Sequence, residues 1–280
     1  MKQISMAFGY EENLPEFEQD IERVKNALLA YAWDEESGYF GYAVQGQEGV
    51  HILRTEAGEN YNKGVDGVTP LIAGICSKEQ EKQLLKHLKS PEELWSPVGI
   101  STVDMSASYY YDNGYWNGSV WCPYQYFLWK AMLDIGEGQF AFDIAHRGLN
   151  SWKQEIEFSY NTFEMIQIET ERGGWFHQFS GLSTPISIWY NAYYKRGTLT
   201  TGYDTWIEKK EISEDVDHAE IVYSTTGTHT GALLIVMNSL YHYDVEIDGK
   251  KAEFIEREEG VIEITLNRKE GVIIIYRDEK

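Results

Sequence analysis

Residues 114–121 read Gly-Tyr-Trp-Asn-Gly-Ser-Val-Trp and run straight into a stretch with helical apolar period. Val120, Tyr124, Phe127, Leu128, Ala131 and Ile135 mark that stretch, and Gly136 stops it. Glycines on both sides of Tyr115, Trp116 and Asn117 permit a tight backbone that aims the rings outward at a helix N-terminus. The plain alternative is an aromatic plug over the helix end. Upstream, Phe17, Ile21, Val24, Leu28 and Tyr31 give one apolar stripe over 16–33, opened by Pro15. The helix ends in the turn Trp33-Asp34-Glu35-Glu36-Ser37-Gly38, and Tyr39 to Val44 reads as a short extended piece. A short apolar segment follows over 67–76. Ser77 then caps another helix, with Gln80 as its capping-box partner and Leu84, Leu85 and Leu88 inside. Residues 90–118 read as irregular and aromatic, a loop long enough to imply a task.

Downstream, 138–158 reads as a helix with Phe140, Ile144, Leu149, Trp152 and Ile156 inward, and Pro185 opens a last one through Tyr193. A second aromatic loop is expected between about Tyr160 and Thr184. That makes about six helices before residue 197. The period then changes to short runs rich in Val, Ile, Tyr and Phe over 219–224, 232–238, 242–248, 252–256, 260–266 and 271–277. Asp248-Gly249 between alternating runs is a hairpin signal. The expectation is a mainly α protein with a β appendage: a helical domain over 1–200, then a small antiparallel β-sandwich over 201–280.

The chain has 280 residues and 24 Lys+Arg against 45 Asp+Glu, for a net charge of −21. This acidity argues against nucleic acid and against an anionic membrane surface. No eighteen-residue apolar run and no signal-peptide pattern occur, so no membrane partner is expected. Cys76 and Cys122 are the only cysteines, without CxxC spacing; a cytoplasmic location is the simplest fit. No cofactor and no metal are expected, and His218, His229 and His242 read as surface or turn residues. Nine Trp, 20 Tyr and 11 Phe bring the aromatic share to 14% in a polar chain, which suits a pocket for a flat-faced polar ligand such as a sugar.

The second loop carries Asn161-Thr162-Phe163-Glu164-Met165-Ile166-Gln167-Ile168-Glu169-Thr170, then Gly173-Gly174-Trp175-Phe176-His177. Glu164 sits among Phe163, Met165 and Ile166. A carboxylate in such company is either salt-bridged or tuned for acid–base work. Glu169 and Glu171 beside Arg172 read as ordinary paired or solvated charges. No Gly-x-Ser-x-Gly elbow, Walker loop or His-Glu-x-x-His is present, which leaves carboxylate chemistry on a carbohydrate.

Four pieces in order, the Trp33–Gly38 turn with Tyr39-Phe40-Gly41-Tyr42, the segment Asp66–Ile75, the Gly114–Trp121 motif and the Asn161–Thr170 stretch, resemble glycoside hydrolase family 63 and its mannosylglycerate-hydrolase-like relatives. The resemblance covers roughly 16–195 and implies an (α/α)6 barrel of paired helices. By position it places a glutamate general base on Glu164, six residues before Thr170, and an aromatic sugar platform on Tyr115, Trp116 and Trp121. Asn117 stands where many relatives carry Arg, and Trp175-Phe176-His177 replaces a different aromatic run; Asn117, Trp175 and His177 are candidates for sugar contact. The family's general-acid segment has no counterpart before Trp33. Gly64-Val65-Asp66-Gly67-Val68-Thr69-Pro70 is superficially similar and makes Asp66 the candidate acid.

About six helices are half of a twelve-helix barrel. The chain therefore reads as the C-terminal half of such a domain, completed by a second copy or by a complementary N-terminal half. The leading expectation is an inverting glycosidase of α-linked gluco- or manno-configured oligosaccharides or small glycosides, with its two carboxyls roughly 6.5–9.5 Å apart. A non-catalytic carbohydrate-binding module or incomplete fragment is the second reading. A helical-barrel sugar isomerase ranks last, because only His177 is placed for its acid–base work.

Overall fold

The computed structural model describes residues 1–112 and 114–278. They divide into two compact units: residues 1–94 with 103–110, and residues 95–102 with the chain from 111 onward. In the first unit, α1 (Lys2–Ala7) and α2 (Leu14–Tyr31) precede four short strands, β1 (Trp33–Asp34), β2 (Tyr39–Phe40), β3 (Ala43–Gly46) and β4 (Gly49–Ile52). Helices α3 (Thr69–Ile72) and α4 (Lys78–Leu88) follow. Pro15 sits in the first turn of α2, where a missing N–H costs nothing. Ser77 and Gln80 form the expected reciprocal capping box on α4.

The Trp33–Gly38 turn is held from within. Gly38 takes φ +63° and donates to Asp34 O at 2.8 Å. The buried Asp34 carboxylate accepts from Ser37 Oγ at 2.7 Å and from Arg54 Nη2 at 2.7 Å, which fixes β1 and β2 to the strand leaving β4. Lys63 similarly joins Glu93 (2.9 Å) to Asp104 (2.5 Å), tying residues 103–110 into this unit. The stripe on α2 forms as a helix face yet stays uncovered: Ile21 is 49%, Val24 54% and Tyr31 55% exposed. Amphipathic period predicts which face is apolar; it does not supply the surface that covers it.

The second unit holds β5 (Trp95–Ser96), β6 (Gly99–Ile100), α5 (Cys122–Asp134), α6 (Gly138–Ser159), β7 (Phe163–Ile166), β8 (Gly173–His177) and α7 (Thr184–Tyr194). Seven α-helices thus occur among the described residues, two of them short. About a third of the chain is helical, and many small antiparallel sheets share the rest. Helices α5, α6 and α7 pack around Leu128, Trp129, Ile144, Trp189 and Tyr193, with Trp129 Nε1 donating to Tyr193 OH at 3.0 Å. On α6 the buried set is Gly138, Phe140, Ala141, Ile144, Ala145, Gly148, Ser151 and Glu155. Leu149, Trp152 and Ile156 are only half-buried, so the inward face is rotated from the expected one. Gly148 is the cause: a Cβ there would lie 2.4 Å from the Trp189 ring, so the helix approaches α7 through its small residues. The expected loop over 160–184 is instead the β7–β8 hairpin followed by a short 3-10 turn (Ser180–Ser183).

The chain then forms β9 (Leu199–Thr201), β10 (Thr205–Ile212), β11 (His218–Thr225), β12 (Gly231–Val236), β13 (Tyr243–Ile247), β14 (Lys250–Ala252), β15 (Ile255–Glu256), β16 (Val261–Leu266) and β17 (Glu270–Arg277). Their order is β10-β11-β17-β13-β14 in one sheet and β15-β16-β12-β9 in the other. Alternate residues of both sheets, among them Ile221, Val245, Ile275, Leu233, Ile235 and Ile264, make one hydrophobic cluster. Asp248 (φ +51°) and Gly249 (φ +71°) form the two-residue turn between β13 and β14. Strands β9 and β10 carry no apolar alternation that the sequence reading could use. Both are edge strands, and β10 is studded with Lys209 and Lys210 as edges are. No helix among the described residues is long and apolar enough to cross a membrane.

Candidate active site

Two backbone devices assemble the site in the second unit. The first is the 114–121 turn. Tyr111 N donates to Asn117 O at 2.9 Å and Ser119 Oγ to Gly114 O at 2.8 Å. Gly118 N donates to Thr102 Oγ1 at 3.1 Å. A Cβ at position 118 would lie 1.8 Å from Tyr111 O, and one at 114 would lie 2.3 Å from Asn117 Oδ1. Glycine is required at both positions by close approach, not by a left-handed backbone. The second device is the antiparallel bridge between Val120 and Ile166, two N–H···O bonds of 2.9 Å each. It lays the turn along β7 and so beside Glu164.

Strand β7 is irregular at the decisive residue. Its register on β8 shifts between Phe163 and Met165, so Glu164 falls at the irregularity and both Glu164 and Met165 are buried. Such a shift breaks the in–out alternation and re-aims a side chain. Glu164 is 7% exposed, and its Oε1 accepts a short hydrogen bond from Tyr115 OH. That bond holds the Tyr115 hydroxyl above its ordinary pKa, so it stays a donor. Glu164 Oε2 is buried with no hydrogen-bond partner among the described residues. An unsatisfied buried carboxylate oxygen costs at least about 1–3 kcal/mol, so its persistence asks for a reason.

Around this carboxylate the aromatics converge. Trp121 is buried and donates through Nε1 to Tyr115 O at 2.9 Å. Trp116 stacks on Trp121 with centroids 4.0 Å apart and planes 8° from parallel, and is itself 51% exposed. The Tyr115 ring meets Trp121 and Trp175 edge-on at 4.9 Å each. Trp175 is exposed and has φ +62°, an uncommon backbone for a bulky residue. Asn117 is exposed beside Trp116, and His177 is exposed on β8, paired with Phe163. The structure therefore brings Tyr115, Trp116, Trp121, Trp175 and Glu164 into one cluster, with Asn117 and His177 at its margins.

Asp66 belongs to the first unit. It is exposed, accepts from Tyr42 OH at 3.0 Å, and gives its backbone oxygen to Thr69 N and Oγ1 at the start of α3. One electrostatic partner escaped the sequence reading. Arg172 pairs not with its neighbours Glu169 and Glu171 but with the buried Glu155 of α6, through Nε and Nη2 at 2.8 and 3.0 Å. Gly173 N adds a third bond at 2.9 Å, and together they hold the Glu155 carboxyl down to about 2. The only sequence trace of this pair is a Glu on the inward face of a helix.

Aromatic planes beside a buried, partly unpartnered carboxylate are the equipment of a carbohydrate-active protein. Residues 1–164 match the family described as mannosylglycerate hydrolase MGH1-like glycoside hydrolase domain. The chain belongs to that family of glycoside hydrolases. Its fold is similar to the GH63 mannosylglycerate hydrolase from Thermus thermophilus in complex with glucose, with TM-score 0.53 and 22% identity over 67% of this chain and 43% of that one. The same enzyme in complex with Tris and D-glycerate gives TM-score 0.53 and 22% identity over 67% of this chain and 42% of that one. An uncharacterized conserved protein from the same organism gives TM-score 0.53 and 22% identity over 67% of this chain and 44% of that one. The chain thus spans less than half the length of these relatives. No curated protein matches it.

Proposed function

We propose that the chain carries the general-base half of an inverting glycosidase for α-linked gluco- or manno-configured glycosides. Glu164 takes the proton of the attacking water, and Trp116 and Trp175 offer ring faces to the sugar. The observation that carries this reading is the Glu164 carboxylate: buried at a strand irregularity, held by Tyr115 through one oxygen and without a hydrogen-bond partner among the described residues at the other. The Thermus relative's complex with glucose supports a hexose in the pocket. A separate carboxylic acid must protonate the leaving oxygen, and Asp66 is the candidate that motif order offers.

Glu164→Gln should lower hydrolysis by at least about 100-fold while leaving the fold intact. Hydrolysis undiminished in that variant would remove Glu164 from the role. Asp66→Asn tests the acid separately, and restored activity with azide in that variant or in Glu164→Gln would mark a carboxylate acting on the reacting centre.

A second reading rests on the chain's length relative to its relatives. A unit spanning 43% of the Thermus enzyme could bind sugar and still need a complementary half, or a second copy, to turn over. It predicts sugar-dependent tryptophan fluorescence without hydrolysis, and turnover once the missing half is supplied.

A further inference from the structure

Beside Glu164 lies a small cavity of about 20 Å³, whose lining includes both Glu164 and Trp152 of α6. Ser151, Gln125, Asn161 and Thr162 contribute to its wall. Two polar atoms of this wall are fully buried and have no hydrogen-bond partner among the described residues: Glu164 Oε2 and Trp152 Nε1. Their chemistry is complementary only through a third group. The indole N–H is a donor and nothing else, and an ionised carboxylate oxygen is an acceptor and nothing else. They lie on different elements, yet their residues line one space, large enough for one water and too small for a sugar hydroxymethyl group with its ring.

We propose that a single internal water occupies this cavity, accepting from Trp152 Nε1 and donating to Glu164 Oε2, and that Trp152 is a positioning residue for the carboxylate through it. With Tyr115 OH on Oε1 and the water on Oε2, both carboxylate oxygens are held, and the side chain cannot rotate about its last bond. The water sits on the helix side of Glu164, opposite in role to the water that attacks the sugar. Trp152 also borders the groove along α7 that includes Ile186 and Tyr190. Other ionisable groups near this carboxylate are already engaged or uncharged. Glu155 is bound to Arg172, the Cys122 thiol on α5 is pushed up to about 12 by burial, and Tyr115 donates to Glu164 itself. His177 lies across the hairpin on the exposed side.

The positioning role rests on Glu164 being the base; the water does not. The test uses the full chain with its tryptophan indoles labelled with 15N, the Trp152 resonance being assigned by its loss in Trp152→Phe. The Trp152 indole proton should show a cross-peak to a long-lived water, weakened several-fold in Glu164→Ala. A folded wild-type chain without that cross-peak overturns the proposal, and so does a cross-peak unaffected by Glu164→Ala. Should Trp152→Phe fail to fold, the wild-type spectrum with a Trp152→His assignment still decides. In the active form, Trp152→Phe should lower kcat roughly tenfold with little change in KM. An unchanged kcat would leave the water but remove the positioning role. Hydrolysis undiminished in Glu164→Gln, with the water cross-peak present in the wild type, would instead remove the base and keep the water.

Discussion

Glu164 is placed by three neighbours that a side-chain reading alone would not connect: Gly118, Val120 and Tyr115. Gly118 lets residue 111 fold back onto the turn, Val120 bridges to Ile166, and Tyr115 is thereby delivered to Oε1. Gly118→Ala should therefore destabilise the second unit by about 2 kcal/mol or more, because the new methyl meets backbone and not a flexible side-chain end. Denaturant unfolding would read this, and a change within about 0.5 kcal/mol would contradict the packing described. Tyr115→Phe removes the donor to Glu164 with little change in shape. It should cost activity about tenfold and, by leaving Oε1 without its donor, lower stability by about 1–3 kcal/mol. The residues of the cluster were legible as a list, since glycines flank an aromatic triplet and a carboxylate sits among apolar residues. That Trp121 is the buried support and Trp116 the exposed plate was not legible, because both are tryptophans at the same kind of position.

At the scale of elements, the β7–β8 hairpin depends on a helix. Glu155 on α6 grips Arg172 and Gly173 N at the hairpin's connection, and the guanidinium lies over the Phe158 ring at 3.7 Å. The carboxyl is lowered from 4.5 to about 2, a depressed acid, so its contribution to stability is present above pH 4.5 and is lost as the pH falls toward 2. Amide exchange in residues 163–177 should accelerate over that window before the β9–β17 sheets open, and Glu155→Gln should abolish the pH step. Helix α2 raises a different expectation. Its uncovered stripe, with Ile21 and Val24 about half exposed, calls for a covering surface, which we propose is a second copy or a complementary half. Light scattering should show self-association of the isolated chain at high concentration, reduced by Val24→Glu. A monomer at all concentrations would count against it. The hairpin itself was hidden from a periodicity reading: β7 and β8 are four and five residues long, and the register shift at Glu164 erases the alternation that reveals a strand.

For the whole molecule, one link between the sheets and the helices is a buried ion pair. Arg257 donates to Glu263 through Nε and Nη2 at 2.6 and 2.8 Å and through Nη1 to Gln139 of α6 at 2.7 Å. Gly138 makes room, since a Cβ there would lie 2.1 Å from Glu263 Oε1, and the carboxylate meets the positive end of α6. Arg257→Ala leaves Glu263 buried without its partner and should cost about 3–5 kcal/mol, read by calorimetry of the full chain. A loss below about 1 kcal/mol would show that the pair is incidental. We propose that the sugar chemistry belongs to residues 1–200 and that 201–280 serve as structural support.

What the sequence determined by itself was a subset of the elements: the capped α4, the proline-opened α2 and α7, the Asp248-Gly249 hairpin and most of the strands after 218. These follow from local rules, because caps, turns and periodicity are settled by residues within a few positions of one another. The family was legible for the same reason, its motifs being short and contiguous. Tertiary structure alone decided which face of α6 is buried, that Arg172 pairs with Glu155, that Val120 and Ile166 bridge, and that Glu164 and Trp152, each with an orphaned polar atom, line one cavity. Each depends on chain segments brought together from afar, where close packing and the low dielectric of the interior, not sequence neighbourhood, select the partner.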